Sequence, residues 1–277
     1  MSLVVFAVVL AAAFLHATWN AIVKAGGDKF LTTIMVTTAA AALSAVLLPF
    51  LRGPAPASWP FAVASAVFQI TYFLLVARTY QVADMSQTYP LMRGTAPLIV
   101  AVVSVLRLGE TLSPMAWAGV IGISLGIFSI AFGSTLTSRR GVYLALVNAV
   151  VIAAYTLIDG IGVRRSGAPA AYTLWVFLLT GVPLALWALA ARRATFLPYL
   201  RRHWGLGVIG GFGTTASYGL ALWAMTLAPV AVVAALRETS ILFGIVIAGL
   251  VLKESIGPGR VISACIIAGG AALLRLA

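Results

Sequence analysis

The chain has 277 residues, of which 62% are hydrophobic and 9% charged, with a net charge of +12 and a mean hydropathy of +1.09. No soluble fold buries that much apolar surface, so the composition excludes a soluble protein and makes lipid the solvent. The positive charge does not mark a nucleic-acid binder, because sixteen of the eighteen Lys and Arg fall near loops or helix ends, where they meet lipid headgroups.

Apolar runs and their breakers predict ten helices, at 3–24, 30–51, 59–81, 85–107, 114–133, 141–163, 168–190, 203–227, 229–252 and 257–276. The first run lacks a basic leader and is read as a spanning helix, not a cleaved signal. It carries a polar stripe, His16, Asn20 and Lys24 at i, i+4 and i+8, with Trp19 beside it. Helices three and four add Gln69, Tyr72 and Tyr89, then a central Arg93. The sixth answers the first with Asn148, Tyr155, Thr156 and Asp159, and the eighth holds Thr215, Tyr218 and Trp223. The stretch 203–236 has no charged residue yet is too long for one span, so Pro229 is placed at the break. Arg237 and Glu238 follow inside the ninth helix. The continuous apolar runs fit helices and not the alternating strands of a barrel.

Arg93 and Arg237 lie 144 positions apart, and the segments around them match. Sliding 90–126 onto 234–270 gives ten identities in 37 pairs, among them Glu110 on Glu254, Pro114 on Pro258 and Gly126 on Gly270. The chain therefore reads as a duplicated unit, 1–136 and 137–277. A unit with five spans must insert its second copy upside down, so the expected fold is all-α integral membrane, ten transmembrane helices as two inverted five-helix repeats. Gly122-x-x-x-Gly126 and Gly207-x-x-x-Gly211 allow close helix contact.

The stretches Tyr89-Pro90-Leu91-Met92-Arg93-Gly94-Thr95-Ala96-Pro97 and Ala235-Leu236-Arg237-Glu238-Thr239-Ser240 resemble the drug/metabolite transporter superfamily, EamA type. So do the Leu-x-Glu turns at Leu108-Gly109-Glu110 and Leu252-Lys253-Glu254, and the opening Leu15-His16-Ala17-Thr18-Trp19-Asn20. The resemblance covers essentially the whole chain. It implies an inverted five-plus-five arrangement, a central substrate cavity and alternating access. It also implies cytoplasmic termini, whereas the charge count puts five basic residues on the side of the N-terminus and eleven on the other. Both orientations stay open.

Depth makes the two arginines the leading candidates. Each lies about 12 Å from the start of its predicted helix, near the middle of a core roughly 30 Å thick. Burial there costs at least about 2.5–3.5 kcal/mol, so each must face a cavity or a partner. Arg93, Arg237, Trp19, Asn20, Tyr72, Tyr89, Tyr155 and Trp223 form the expected substrate site, and Glu238, Asp159 and His16 are the candidates for proton coupling. For each, structural hydrogen bonding between helices is the alternative. Glu110 and Glu254 read as carboxylates serving free helix-start amides.

Six carboxylates, two histidines and the single Cys265 offer no metal cluster, nucleophile–base set or disulfide, and no phosphate-binding Gly-x-x-x-x-Gly-Lys loop occurs. No metal or cofactor is expected, and an enzyme is not. The function expected is a secondary active transporter of a small anionic or zwitterionic metabolite, by alternating access across the cell (inner) membrane, with proton coupling open. The alternative is a lipid-linked substrate flippase or a channel. The partners are the small-molecule substrate and the lipid bilayer, with no nucleic acid, in a monomer or homodimer.

Overall fold

A computed structural model of the protein describes residues 1–25, 27–131, 138–250, 253 and 257–277, with backbone only at 24, 25, 77, 85, 86 and 131. The side chain of Lys24, all of Glu254 and the expected repeat boundary at 136/137 lie outside the described residues. Among the described residues every regular element is a helix. They are α1 (Leu3–Ala25), α2 (Lys29–Leu47), α3 (Trp59–Val82), α4 (Met85–Leu108), α5 (Pro114–Ala131), α6 (Arg139–Ser166), α7 (Pro169–Ala191), α8 (Arg193–Met225), α9 (Val230–Arg237), α10 (Ser240–Leu250) and α11 (Pro258–Leu276).

Among the described residues eight segments are long and apolar enough to cross a bilayer, α9 and α10 counting together as Val230–Leu250. The other two are α5, which is apolar and whose described part ends at Ala131, and α8, whose Gly, Thr, Ser and Tyr content dilutes its hydropathy. Arg275 donates to the carbonyl of Met1 at 3.0 Å, so the two termini share one face, as an even number of crossings requires.

Helix contacts are reciprocal between the two sets of five. Helix α1 packs on α8 as α3 packs on α6; α2 meets α7, α4 meets α9, and α5 meets α11. Exchanging first-set and second-set helices preserves this pairing, the pattern of two copies related by a twofold axis. An odd span count per copy makes that axis lie in the membrane plane.

Small residues set the closest of these contacts. A Cβ on Gly270 of α11 would sit 2.8 Å from the Ile123 amide nitrogen and 2.9 Å from the Gly119 carbonyl oxygen of α5. One on Gly211 of α8 would sit 2.8 Å from the amide of Ala40 in α2. In lipid no hydrophobic drive separates helix from solvent, so backbone approach of this kind supplies the association energy.

Two boundaries differ from the sequence reading. Helix α8 begins at Arg193, ten residues before the expected start, and bends at His203, whose backbone is non-helical (φ −119°, ψ 16°). Its first limb carries Arg201 and Arg202 beside Phe196 and Tyr199, an amphipathic mixture that looks like a loop on hydropathy alone. The expected ninth helix is broken after Arg237. There the amides of Glu238, Thr239, Ile241 and Leu242 bond three residues back instead of four, and the Thr239 hydroxyl takes the Leu236 carbonyl at 2.6 Å. Tightened turns and a back-bonding hydroxyl interrupt the ladder without proline. Helix α4 carries Pro90 and Pro97 and stays continuous.

Candidate functional site

The break in α9/α10 and the middle of α4 face each other across the centre of the molecule. The Arg93 Nε lies 2.8 Å from Glu238 Oε2, and both side chains are almost fully buried. Arg93 is thus held by a carboxylate from the other half. Its Nη2 also lies 3.4 Å from His16 Nε2, while Trp19 Nε1 lies 3.3 Å from His16 Nδ1. Both neighbours can only donate, and a neutral imidazole has one acceptor nitrogen, so His16 serves one of them at a time.

Arg237 is different. It is 8% exposed, ends α9 where the helix dipole favours a cation, and has no ion pair with a carboxylate among the described residues. Its Nε is buried without a hydrogen-bond partner; Arg93 Nε also lacks an aligned hydrogen bond but has the Glu238 carboxylate 2.8 Å away as an ion pair. Its guanidinium stacks over the Tyr218 ring, 4.9 Å from the centroid, a cation–π contact that leaves the N–H fork free.

Tyr218 is itself fixed from below. Its hydroxyl donates to Asp159, which also receives Ser65 Oγ at 2.7 Å and Tyr172 at 2.9 Å. Gln69 donates to Ser65 at 3.1 Å, extending the network one turn along α3. Asp159 has no exposed surface. Three hydroxyl donors satisfy its oxygens, so this carboxylate orients the aromatic platform under Arg237 without touching the cavity.

The cavity above this platform holds about 730 Å³ of empty space, its open mouth included. Of the residues expected from sequence, His16, Trp19, Tyr72, Arg93, Tyr155 and Arg237 line it. Three do not. The Asn20 amide donates back to the His16 carbonyl at 2.7 Å within its own helix, and Tyr89 and Trp223 pack against the apolar core. Glu238 stands behind Arg93 and Asp159 beneath Tyr218. Asn148 is fully buried, with its Nδ2 2.9 Å from Met92 Sδ. The walls also use Thr37, Phe73, Phe177, Thr180 and Thr214, which the sequence reading missed. Single threonines and phenylalanines are unremarkable in apolar helices, and only their convergence marks them.

The cavity reaches Thr33, about one turn from the start of α2, and so approaches the face opposite the termini. The termini face is shut. Glu110, in the α4–α5 connection, lies 2.8 Å from Arg164 Nη2 and accepts the amide of Val230 at 2.9 Å. Arg164 further donates to the carbonyls of Met225 at 2.7 Å and Ala228 at 3.0 Å. The helix-start amides that Glu110 serves belong to α9, across the repeat, and not to α5, the helix that follows it in sequence. Pro114 opens α5 and Glu110 precedes it by four residues, too far to cap it, so the carboxylate turns to the other half.

The model of the EamA-like transporter family matches residues 3–132 and again 139–276. The chain belongs to the EamA-like transporter family. It is therefore a multi-pass membrane transporter of the drug/metabolite type and not an enzyme. A crystal structure of another protein superposes with a TM-score of 0.79 at 20% identity, covering 100% of this chain and 98% of that one. The fold is shared over the full length.

Proposed function

We infer that this EamA-like transporter is a secondary carrier of a small anionic or zwitterionic metabolite, working by alternating access in the cytoplasmic membrane. One observation carries the reading. Arg237 is a deeply placed cation on the cavity wall, with no carboxylate ion pair among the described residues and a buried Nε that has no hydrogen-bond partner. A buried charge without a partner is costly in a membrane. A carboxylate or phosphate on the substrate offsets that cost through paired, charge-assisted hydrogen bonds.

The aromatic groups around it, Tyr72, Tyr155 and Phe177, give an apolar or cationic remainder a surface to rest on. The cavity extends to Thr33 on one side and the opposite face is tied at Glu110–Arg164, an asymmetry that supports one half of an alternating cycle. The mirror state requires the Glu110 tie to part and the opposite end to close.

The test is counterflow in proteoliposomes against anionic, zwitterionic and cationic metabolites, with and without an imposed pH gradient. Saturable counterflow of an anionic or zwitterionic compound, lost in Arg237→Ala and partly kept in Arg237→Lys, is expected. Undiminished counterflow by Arg237→Ala overturns the assignment of the anion to Arg237. Ion currents far above carrier turnover overturn the carrier.

A further inference from the structure

Four arginines around the start of α8 form a basic surface outside the transport cavity. Arg192, Arg193, Arg201 and Arg202 are all exposed, and no ion pair ties any of them among the described residues. No acid occurs between Asp159 and Glu238 in the sequence, and Asp28, which caps α2 one turn before the Thr32 that Tyr199 meets, forms no ion pair with these arginines among the described residues. Four guanidiniums without an internal counterion repel one another, so the fold must hold them in place by other means.

It does so through the opposite side of the same limb. Phe196 is buried with Leu31, Ile34, Met35 and Ala188, and Tyr199 and Leu200 pack against that cluster. The Tyr199 hydroxyl lies 2.6 Å from Thr32 Oγ1 on α2, and the Tyr199 ring packs on His203 with centroids 4.4 Å apart. The limb 193–202 is thereby pinned across the ends of α2 and α7, and the bend at His203 turns it away from the spanning part of α8.

Arg193, Leu197 and Arg201 recur at i, i+4 and i+8 on the face left free. With Ala194 and Pro198 they line a shallow depression, an arginine at each end and apolar side chains between. Trp204, just past the bend, is 67% exposed, and Trp187 of α7 is 44% exposed. Tryptophans outside the protein core settle at the headgroup level of a bilayer, which places the depression in the interface.

We propose that this depression binds the phosphodiester headgroup of an anionic phospholipid, with Arg193 and Arg201 as its ligands. Each guanidinium offers a planar donor fork that matches two phosphate oxygens. Leu197 and Pro198 meet the glycerol and upper acyl region, and Arg192 and Arg202 add charge at the flanks. The site is distinct from the cavity at Arg237 and does not depend on the transported substrate.

The test uses the full-length protein in neutral detergent, with phosphatidylglycerol or phosphatidylcholine added and bound lipid counted by native mass spectrometry. Wild type retains phosphatidylglycerol over phosphatidylcholine. R193Q/R201Q lowers that retention by roughly 25-fold, at about fivefold per arginine near a lipid surface, and R193K/R201K keeps it within about fivefold of wild type. R139Q/R140Q, two exposed arginines that begin α6 on the same face, leaves it unchanged. Wild-type retention by R193Q/R201Q overturns the site, as does an equal fall in R139Q/R140Q, which means diffuse charge alone. Displacement of the lipid by millimolar inorganic phosphate also overturns it, because the site then reads a free anion. All these residues are exposed, so the melting temperature of each variant stays near that of wild type.

Discussion

Replacing Glu110 with glutamine tests whether the termini face is a gate. In the structure one oxygen of Glu110 lies 2.8 Å from Arg164 Nη2 and 2.9 Å from the Val230 amide, and the other is 3.5 Å from the Ala231 amide. Glutamine keeps one carbonyl oxygen and the shape, and loses the charge. Hydrogen bonds involving an ionised group contribute about 1.5–3 kcal/mol and neutral ones about 0.5–1.5. The Glu110 side chain is 8% exposed but that of Arg164 is 36%, so solvent screening reduces the ion-pair share. Loss of the anion at the start of α9 adds a few tenths of a kcal/mol. The closed termini face should lose about 1–2 kcal/mol, shifting the equilibrium toward opening by roughly 5- to 30-fold. The assay is double electron–electron resonance in a Cys265→Ala background, with spin labels at Thr111→Cys and Leu227→Cys. Both positions are exposed and flank the tie from opposite halves. A second, longer distance population in Glu110→Gln is expected. Distance distributions that superimpose on the parent would refute the gate and leave Glu110 a structural cap of α9.

Arg93→Gln strands Glu238 as an unpaired buried carboxylate and should cost about 3–5 kcal/mol, read as a lower melting temperature in detergent. Arg93→Met with Glu238→Met removes both charges and should recover most of that loss; no recovery would show that the pair is not coupled. Asp159→Asn gives the carboxylate position an N–H₂ that cannot accept the hydroxyls of Ser65, Tyr172 and Tyr218 together. It should destabilise by about 1–3 kcal/mol and raise the substrate concentration for half-maximal counterflow, and unchanged affinity would mean that Arg237 needs no platform. Gly270→Val drives a side chain into the α5 backbone. It should lower the melting temperature, whereas a change at the exposed neighbour Gly269, which has open space around it, should not.

What could be read from the sequence follows from how lipid penalises polar groups. Arg93, Arg237, Glu238 and Asp159 stood out because each breaks an apolar run, and all four converge at the centre. Span positions were legible for the same reason. The α8 limb was not, because an amphipathic interfacial helix has neither the hydropathy of a span nor the composition of a loop. The break after Arg237 was also hidden, since it rests on a threonine hydroxyl and tightened turns, while the prolines that advertise a break sit in the intact α4. Pairing was the least legible link. Glu238 adjoins Arg237 in sequence, and only the fold turns it to Arg93.

That pairing explains why two arginines at equivalent positions of a repeat do different work. The position after Arg237 is Glu238, and the position after Arg93 is Gly94. A Cβ on Gly94 would lie 2.6 Å from the Phe128 ring of α5, so a side chain there would have to displace that ring. The second copy has room and places an acid there, which crosses to neutralise Arg93. Among the described residues no acid of the first copy pairs with Arg237. Both arginines line the cavity, and among the described residues Arg237 is the one for which the position equivalent to Glu238, Gly94, carries no acid to meet it.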